Sequence, residues 1–153
     1  NADEVRALRA VLEDFARWAR QKRPPGRASQ RWEVACLSFY VKQERAISEM
    51  LRELTGEDRA TRFNLEGVEI VCGTVDRFQG READLVLLSM RNTSRVGFLD
   101  SPNRLNVAVT RARQQLVVIG KRRYFKTCGI RELQELVGRS AHEPANNWRG
   151  DRR

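Results

Sequence analysis

Val5, Leu8, Leu12, Phe15 and Ala19 recur at helical spacing, and this stripe predicts an amphipathic helix over residues 3–21. Pro24-Pro25-Gly26 ends it in a loop. Glu33 to Phe39 is a continuous apolar run of strand length. A second helix follows, with Ile47, Met50, Leu51 and Leu54 on one face and Gly56 as its C-cap. Residues 57–66 are polar and read as a loop. Gly67 to Val75 and Leu85 to Met90 predict two further strands, separated by polar residues. Asn92 to Pro102, rich in Asn, Ser, Gly and Asp, reads as a loop. Arg104 to Arg113 fits a helix that turns Leu105, Ala108, Val109 and Ala112 inward, and Leu116 to Ile119 makes a fourth strand. A last helix is expected over about 129–138, and the tail after Gly138 reads as disordered. Short apolar strands alternating with helices predict an α/β domain with a mostly parallel sheet, covered on both faces.

In such sheets ligands bind at the carboxyl ends of the strands. That places the polar blocks Tyr40 to Arg45, Asp76 to Glu82, and Arg91-Asn92 where chemistry is expected.

Composition sharpens this picture in one respect. The formal charge is +9, with 8 basic and 4 acidic residues in 1–31, and 9 and 4 in 121–153. A polyanionic partner fits that excess, as do merely solvated, arginine-rich ends. Cys36, Cys72 and Cys128 lack Cys-x-x-Cys spacing, and His142 is the sole histidine, so a zinc site is not expected. They read as reduced thiols of a cytoplasmic protein. No apolar run approaches the ~20 residues that span a bilayer. The chain starts at Asn1 without a methionine, and we expect it to be processed or cut from something longer.

Candidate chemistry concentrates on a few side chains. Arg104, Arg111 and Arg113 should face outward from their helix, with Arg104 and Arg111 on the same side. A guanidinium there can reach across a cleft to a γ-phosphate, or can pair with a surface carboxylate. Gly80 permits a tight turn beside Gln79, and Glu82 can accept bonds from a ribose or simply favour a helix N-terminus. Thr74 and Asp76 suit either a nucleic-acid phosphate or the turn they begin. Tyr40 offers a ring for base stacking or for core-edge packing. Trp18, Trp32 and Trp148 read as packing residues. No Gly-x-x-x-x-Gly-Lys-Ser/Thr loop occurs, so nothing here cradles the phosphates of ATP unaided.

Tyr40-Val-Lys-Gln43, Gly73 through Ser89, Gly97-Phe-Leu-Asp100 and Arg104 through Arg113 resemble motifs IV, V and VI of superfamily 1 helicases. The likeness is to the up-frameshift-like group, superfamily 1B, which includes senataxin-type helicases, and it covers about residues 1–125. It implies the second RecA-like domain, a three-layer α/β/α unit over residues 1–138 followed by a polar tail at 139–153. By that resemblance Arg111 contacts the γ-phosphate, and Glu82 lies near the ribose and phosphates with Gln79 and Gly80 in the same wall. Tyr40 would stack near the adenine with Gln43 beside it. Thr74, Asp76, Arg104 and the loop around Arg91 and Asn92 would face a single strand of DNA or RNA. The family often has an arginine after the motif IV glutamine; here Glu44 stands there, and either Arg45 substitutes or Arg111 acts alone. ATP and Mg2+ would be held only together with a first RecA-like domain. The competing reading is a nucleic-acid-binding or protein-docking domain that keeps the fold without a motor. A nuclease fusion finds no carboxylate cluster of the required kind.

Overall fold

The computed structural model describes residues 1–27, 30–91 and 102–139. Helix α1 (Ala2–Ala19) starts at Asn1, whose side-chain oxygen accepts the Glu4 N–H, and it buries Leu8, Leu12, Phe15 and Ala19. Strand β1 (Glu33–Ser38) is buried almost throughout. Helix α2 (Val41–Thr55) buries Ile47, Met50 and Leu51. It ends at Gly56, which takes φ 72° and donates its N–H to the Arg52 carbonyl.

The polar stretch expected as a loop contains a strand, β2 (Arg62–Leu65), paired antiparallel to β3 (Val68–Thr74). Two residues connect them, Glu66 and Gly67, with φ of 53° and 88°. Both central residues at positive φ make the tight hairpin turn that matches strand twist. Phe63, 2% exposed, is the one fully buried residue of β2 and anchors it to the core, with Leu65 packed partly against it.

Strand β4 (Ala83–Ser89) is entirely buried. Helix α3 spans Pro102–Val109 and strand β5 spans Ala112–Ile119. The expected helix over Arg104 to Arg113 is therefore too long. Its last residues turn at Thr110 and Arg111 and enter the sheet, so Ala112 and Arg113 are strand residues. The C-terminal region holds two helices where one was expected, α4 (Arg122–Thr127) and α5 (Arg131–Arg139). Trp148, His142 and the rest of the expected disordered tail beyond Arg139 lie outside the described residues, as do Asn92 and the loop through 101.

The sheet order is β2-β3-β1-β4-β5, parallel except for β2. One face packs α1 and α2 through Leu8, Leu12, Ile47, Leu51, Val34 and Ile70. The other packs α3, α4 and α5 through Leu105, Ala108, Phe125, Leu133, Leu37 and Leu88. Each fully buried aliphatic or aromatic side chain stabilises by roughly 1.5–3 kcal/mol, so the two layers hold the sheet comparably. This is the three-layer RecA-like α/β/α architecture. No helix among the described residues is long and apolar enough to cross a membrane.

The parallel strands give the sheet two distinct edges. Ser38, Thr74 and Ser89 share one level at the carboxyl edge. Ala83 and Ala112 share one at the amino edge. Six steps of about 3.3 Å along β4 put these edges about 20 Å apart.

Candidate functional site

Residues 75–82 run between the two edges without a helix, from the end of β3 to the start of β4. Val75 and Phe78 are buried and pin this segment to the core. The Phe78 N–H bonds the Thr74 carbonyl at 3.0 Å, and the Arg81 N–H bonds the Phe78 carbonyl at 3.1 Å. Gly80 lies between them at φ 79°, a conformation that side chains resist. Gln79, Arg81 and Glu82 are exposed, and the Arg81 guanidinium lies over the Phe78 ring.

Arg111 meets this segment at the amino edge, not at the carboxyl edge where the sequence pattern locates the chemistry. Its backbone carbonyl accepts the Ala83 N–H at 3.0 Å, which locks the start of β5 to the start of β4. Its guanidinium donates to the carbonyls of Val107 (3.2 Å) and Arg81 (3.3 Å) and to the Thr110 hydroxyl (3.2 Å). All three acceptors are neutral. Glu82 adjoins Arg81 in sequence, so the structure brings Arg111 to the Gln79–Glu82 wall.

The neighbouring arginines are different. Arg113 is exposed, as helix spacing suggested, but it stands on β5 and is tied to carboxylates. It bonds Glu33 and, at 3.2 Å, Asp84, while Arg27 bonds Asp84 and, at 3.4 Å, Glu33. Asp84 is 1% exposed and also accepts the Glu33 N–H at 2.9 Å. Burial works against the charge of Arg113, but the bonds to Glu33 and Asp84 outweigh it and hold its pKa above the ordinary arginine value. Arg104 pairs with Asp76 at 3.0 Å across the top of α3. Arg104 and Arg111 therefore do not share a helix face; they serve opposite edges. A polar cleft of 210 Å³ lies beside the amino edge, lined by Glu33, Arg62, Glu69, Arg81, Glu82 and Arg113.

The carboxyl edge collects the other candidates. Tyr40 is half-buried, and the Arg91 guanidinium lies 4.9 Å from its ring centroid. Gln43 is 1% exposed and donates to Ser89 Oγ at 3.0 Å and to the Asn1 carbonyl at 3.1 Å. It fills the interior and does not line an open pocket. Thr74 is buried, and its hydroxyl accepts the Arg77 N–H at 3.4 Å, which is the turn-making role. Arg45 is exposed on α2. Tyr40, Gln43 and Arg45 are thus not brought together with Gln79, Gly80, Glu82 and Arg111.

Sequence reading overlooked Glu4, Asp84 and Glu33. Glu4 is buried at 5% exposure, and its carboxylate accepts the Ser89 hydroxyl at 2.6 Å and the Arg91 N–H at 2.7 Å. Its position in the first turn of a helix reads as routine dipole compensation, which hides this use. Asp84 carried a better signal, as an acidic residue inside an otherwise apolar strand. Cys36 and Cys72 sit opposite each other in β1 and β3, and both are free thiols. Burial pushes the Cys36 thiol well up, and burial with the nearby Glu44 charge takes Cys72 up to about 12. These thiols are packing groups. Among the described residues no group of three His, Cys, Asp or Glu is placed to hold a metal ion.

Residues 1–123 match the AAA_12 family, described as an AAA domain. The chain is 45% identical over 73 residues to the DNA polymerase alpha-associated DNA helicase A of Saccharomyces cerevisiae, a match covering 46% of this chain and 11% of that protein. It is 42% identical over 90 residues to the helicase required for RNAi-mediated heterochromatin assembly 1 of Schizosaccharomyces pombe, covering 57% and 8%. A third relative is the regulator of nonsense transcripts 1 homolog of Arabidopsis thaliana, 49% identical over 55 residues, covering 34% and 4%. The chain therefore spans only about a tenth or less of the length of these relatives. With the fold, the matched family and these relatives in agreement, the chain belongs to the AAA_12 family and is a helicase domain of the up-frameshift-like superfamily 1B group.

Proposed function

We propose that this chain is the second motor domain of an ATP-dependent helicase or translocase acting on single-stranded DNA or RNA. It supplies the arginine finger to a nucleotide held mainly by a first RecA-like domain. The observation that carries this reading is the charge of Arg111, held by three neutral oxygens while Arg27, Arg104 and Arg113 are matched by carboxylates. A guanidinium positioned by hydrogen bonds but not neutralised is prepared for an anion.

In this reading Arg111, Glu82, Gln79 and Gly80 form the nucleotide wall at the amino edge. Arg111 stabilises charge building on the γ-phosphate, and Glu82 orients the ribose side. ATP with Mg2+ supplies the phosphoryl chemistry when a phosphate-loop domain binds it. Tyr40 and Gln43, at the far end of the strands, and Arg45 on α2 leave the nucleotide set. Thr74, Arg91 and Tyr40 then belong to the strand track, with Asp76 and Arg104 paired beside it.

The chain alone should hydrolyse no ATP. Joined to a first domain bearing a phosphate loop, it should give strand-stimulated hydrolysis. Arg111→Ala should then lower turnover by about 10³-fold, within the range of arginine-finger losses. Unchanged turnover in that variant refutes the assignment.

A further inference from the structure

Arg91 holds a backbone φ of 61°, one of two non-glycine residues at positive φ among those described. The other, Glu66, sits in a hairpin turn that demands it. A left-handed conformation is costly for a residue with a Cβ, and it persists where surrounding bonds over-determine it. Glu4 provides one of those bonds. Its buried carboxylate accepts the Arg91 N–H at 2.7 Å and the Ser89 hydroxyl at 2.6 Å, and Ser89 in turn accepts from Gln43. Helix α1, strand β4 and helix α2 thus meet in one satisfied polar network directly beneath Arg91.

The conformation has a visible result. It lays the Arg91 guanidinium over Tyr40, 4.9 Å from the ring centroid. A plain phosphate contact needs neither an aromatic backing nor a strained backbone. A flat cation supported on a ring is instead a plate for another flat group, as guanidinium planes and aromatic rings are for unpaired bases.

Resting on the strand-track reading above, we propose that Arg91, backed by Tyr40 and set by Glu4, is a stacking plate for one unpaired nucleobase of the bound strand. Arg91 makes the contact, and Glu4 is a positioning residue that acts through the Arg91 backbone. The domain then grips one base by its face in addition to the phosphates. Sequence preference stays weak, since every base has a π-face.

The test compares binding of this chain to a thymidine 12-mer and to an abasic 12-mer with the same phosphates, at two salt concentrations. The wild type should prefer the thymidine strand by about tenfold, the scale of one stacked base. Arg91→Lys keeps the charge but loses the plane. It should bring the preference close to one while leaving the salt dependence nearly unchanged. Glu4→Gln should reduce the preference in proportion to its disturbance of Arg91, and Arg91→Ala should abolish it. Equal binding of the two strands by the wild type, or a preference that survives Arg91→Lys, overturns the plate and leaves the motor reading standing. Loss of the preference on adding free ATP would show that the plate takes a nucleotide's base, and would overturn the strand assignment. Binding of neither strand at low salt overturns the plate together with the strand-track reading beneath it.

Discussion

At the amino edge of the sheet, Arg27 and Arg113 are offset one for one by Glu33 and Asp84. At the carboxyl edge the tie between elements is made by Glu4, Ser89 and Gln43 through carboxylate, hydroxyl, amide and backbone groups. The first edge spends strong charges on fixing the strands, and Arg111, whose guanidinium is held by neutral oxygens, stands out against Arg27 and Arg113 beside it. The second edge uses a single buried charge to set the backbone of Arg91. Charge count alone could not separate these roles, because both edges are rich in arginine. Partners separate them.

The sharpest way to break the comparison is to exchange the fates of Arg111 and Arg113. Arg111→Ala should cost about 10³-fold in the hydrolysis of the joined two-domain protein, equivalent to about 4 kcal/mol, while its urea midpoint barely moves. Arg113→Ala should show the reverse emphasis, with a clear loss of stability. If both variants lose stability alike, the contrast between finger and strut disappears.

Next in size is Asp84→Ala. It leaves Arg27, Arg113 and the Glu33 N–H without their shared acceptor, and we expect a loss of about 3 kcal/mol in urea unfolding. Ser89→Ala probes the opposite edge, where removing the hydroxyl unlinks Gln43 from Glu4. A loss of about 1–2 kcal/mol is expected there. A larger loss for Ser89→Ala than for Asp84→Ala would invert the ranking of the edges.

Inside the sheet, nearer the carboxyl edge, lies Cys72, whose raised pKa gives a pH signature. The folded state keeps this thiol protonated to about 12, whereas the unfolded thiol releases its proton near 9. Stability from this group is complete below pH 9 and falls as pH rises from 9 towards 12. The advantage of wild type over Cys72→Ala should shrink by about 1 kcal/mol between pH 8 and pH 10 in urea titrations. The smallest effect belongs to Arg104→Ala. Its pair with Asp76 is 35% and 55% exposed, so a change of about 0.5 kcal/mol or less is expected.

Much of the scaffold was legible in the residue pattern. The stripes of α1 and α2, the Gly56 cap and strands β1, β3 and β4 all lie where spacing placed them. The failures share a physical origin, which is that edges bury little. Strand β2 offers one buried residue, Phe63, among exposed polar neighbours, so it reads as loop. Helix α4 buries only Phe125 in six residues, too few for a period to show. Gln114 and Gln115 disguise the start of β5, and Leu105, Ala108 and Ala112 kept helical spacing across the turn at Thr110. Continuing the helix there misplaced Arg111 and Arg113. Only tertiary register could assign these residues to one edge or the other.

The segment from Val75 to Glu82 has a further consequence. It passes from one margin of the sheet to the other in eight residues, fixed midway by Phe78. Slack is short in so brief a span, and no crossover helix stands ready to absorb a displacement. A displacement of Thr74 must therefore be taken up in the few residues before the buried Phe78, and one of Glu82 in the few after it.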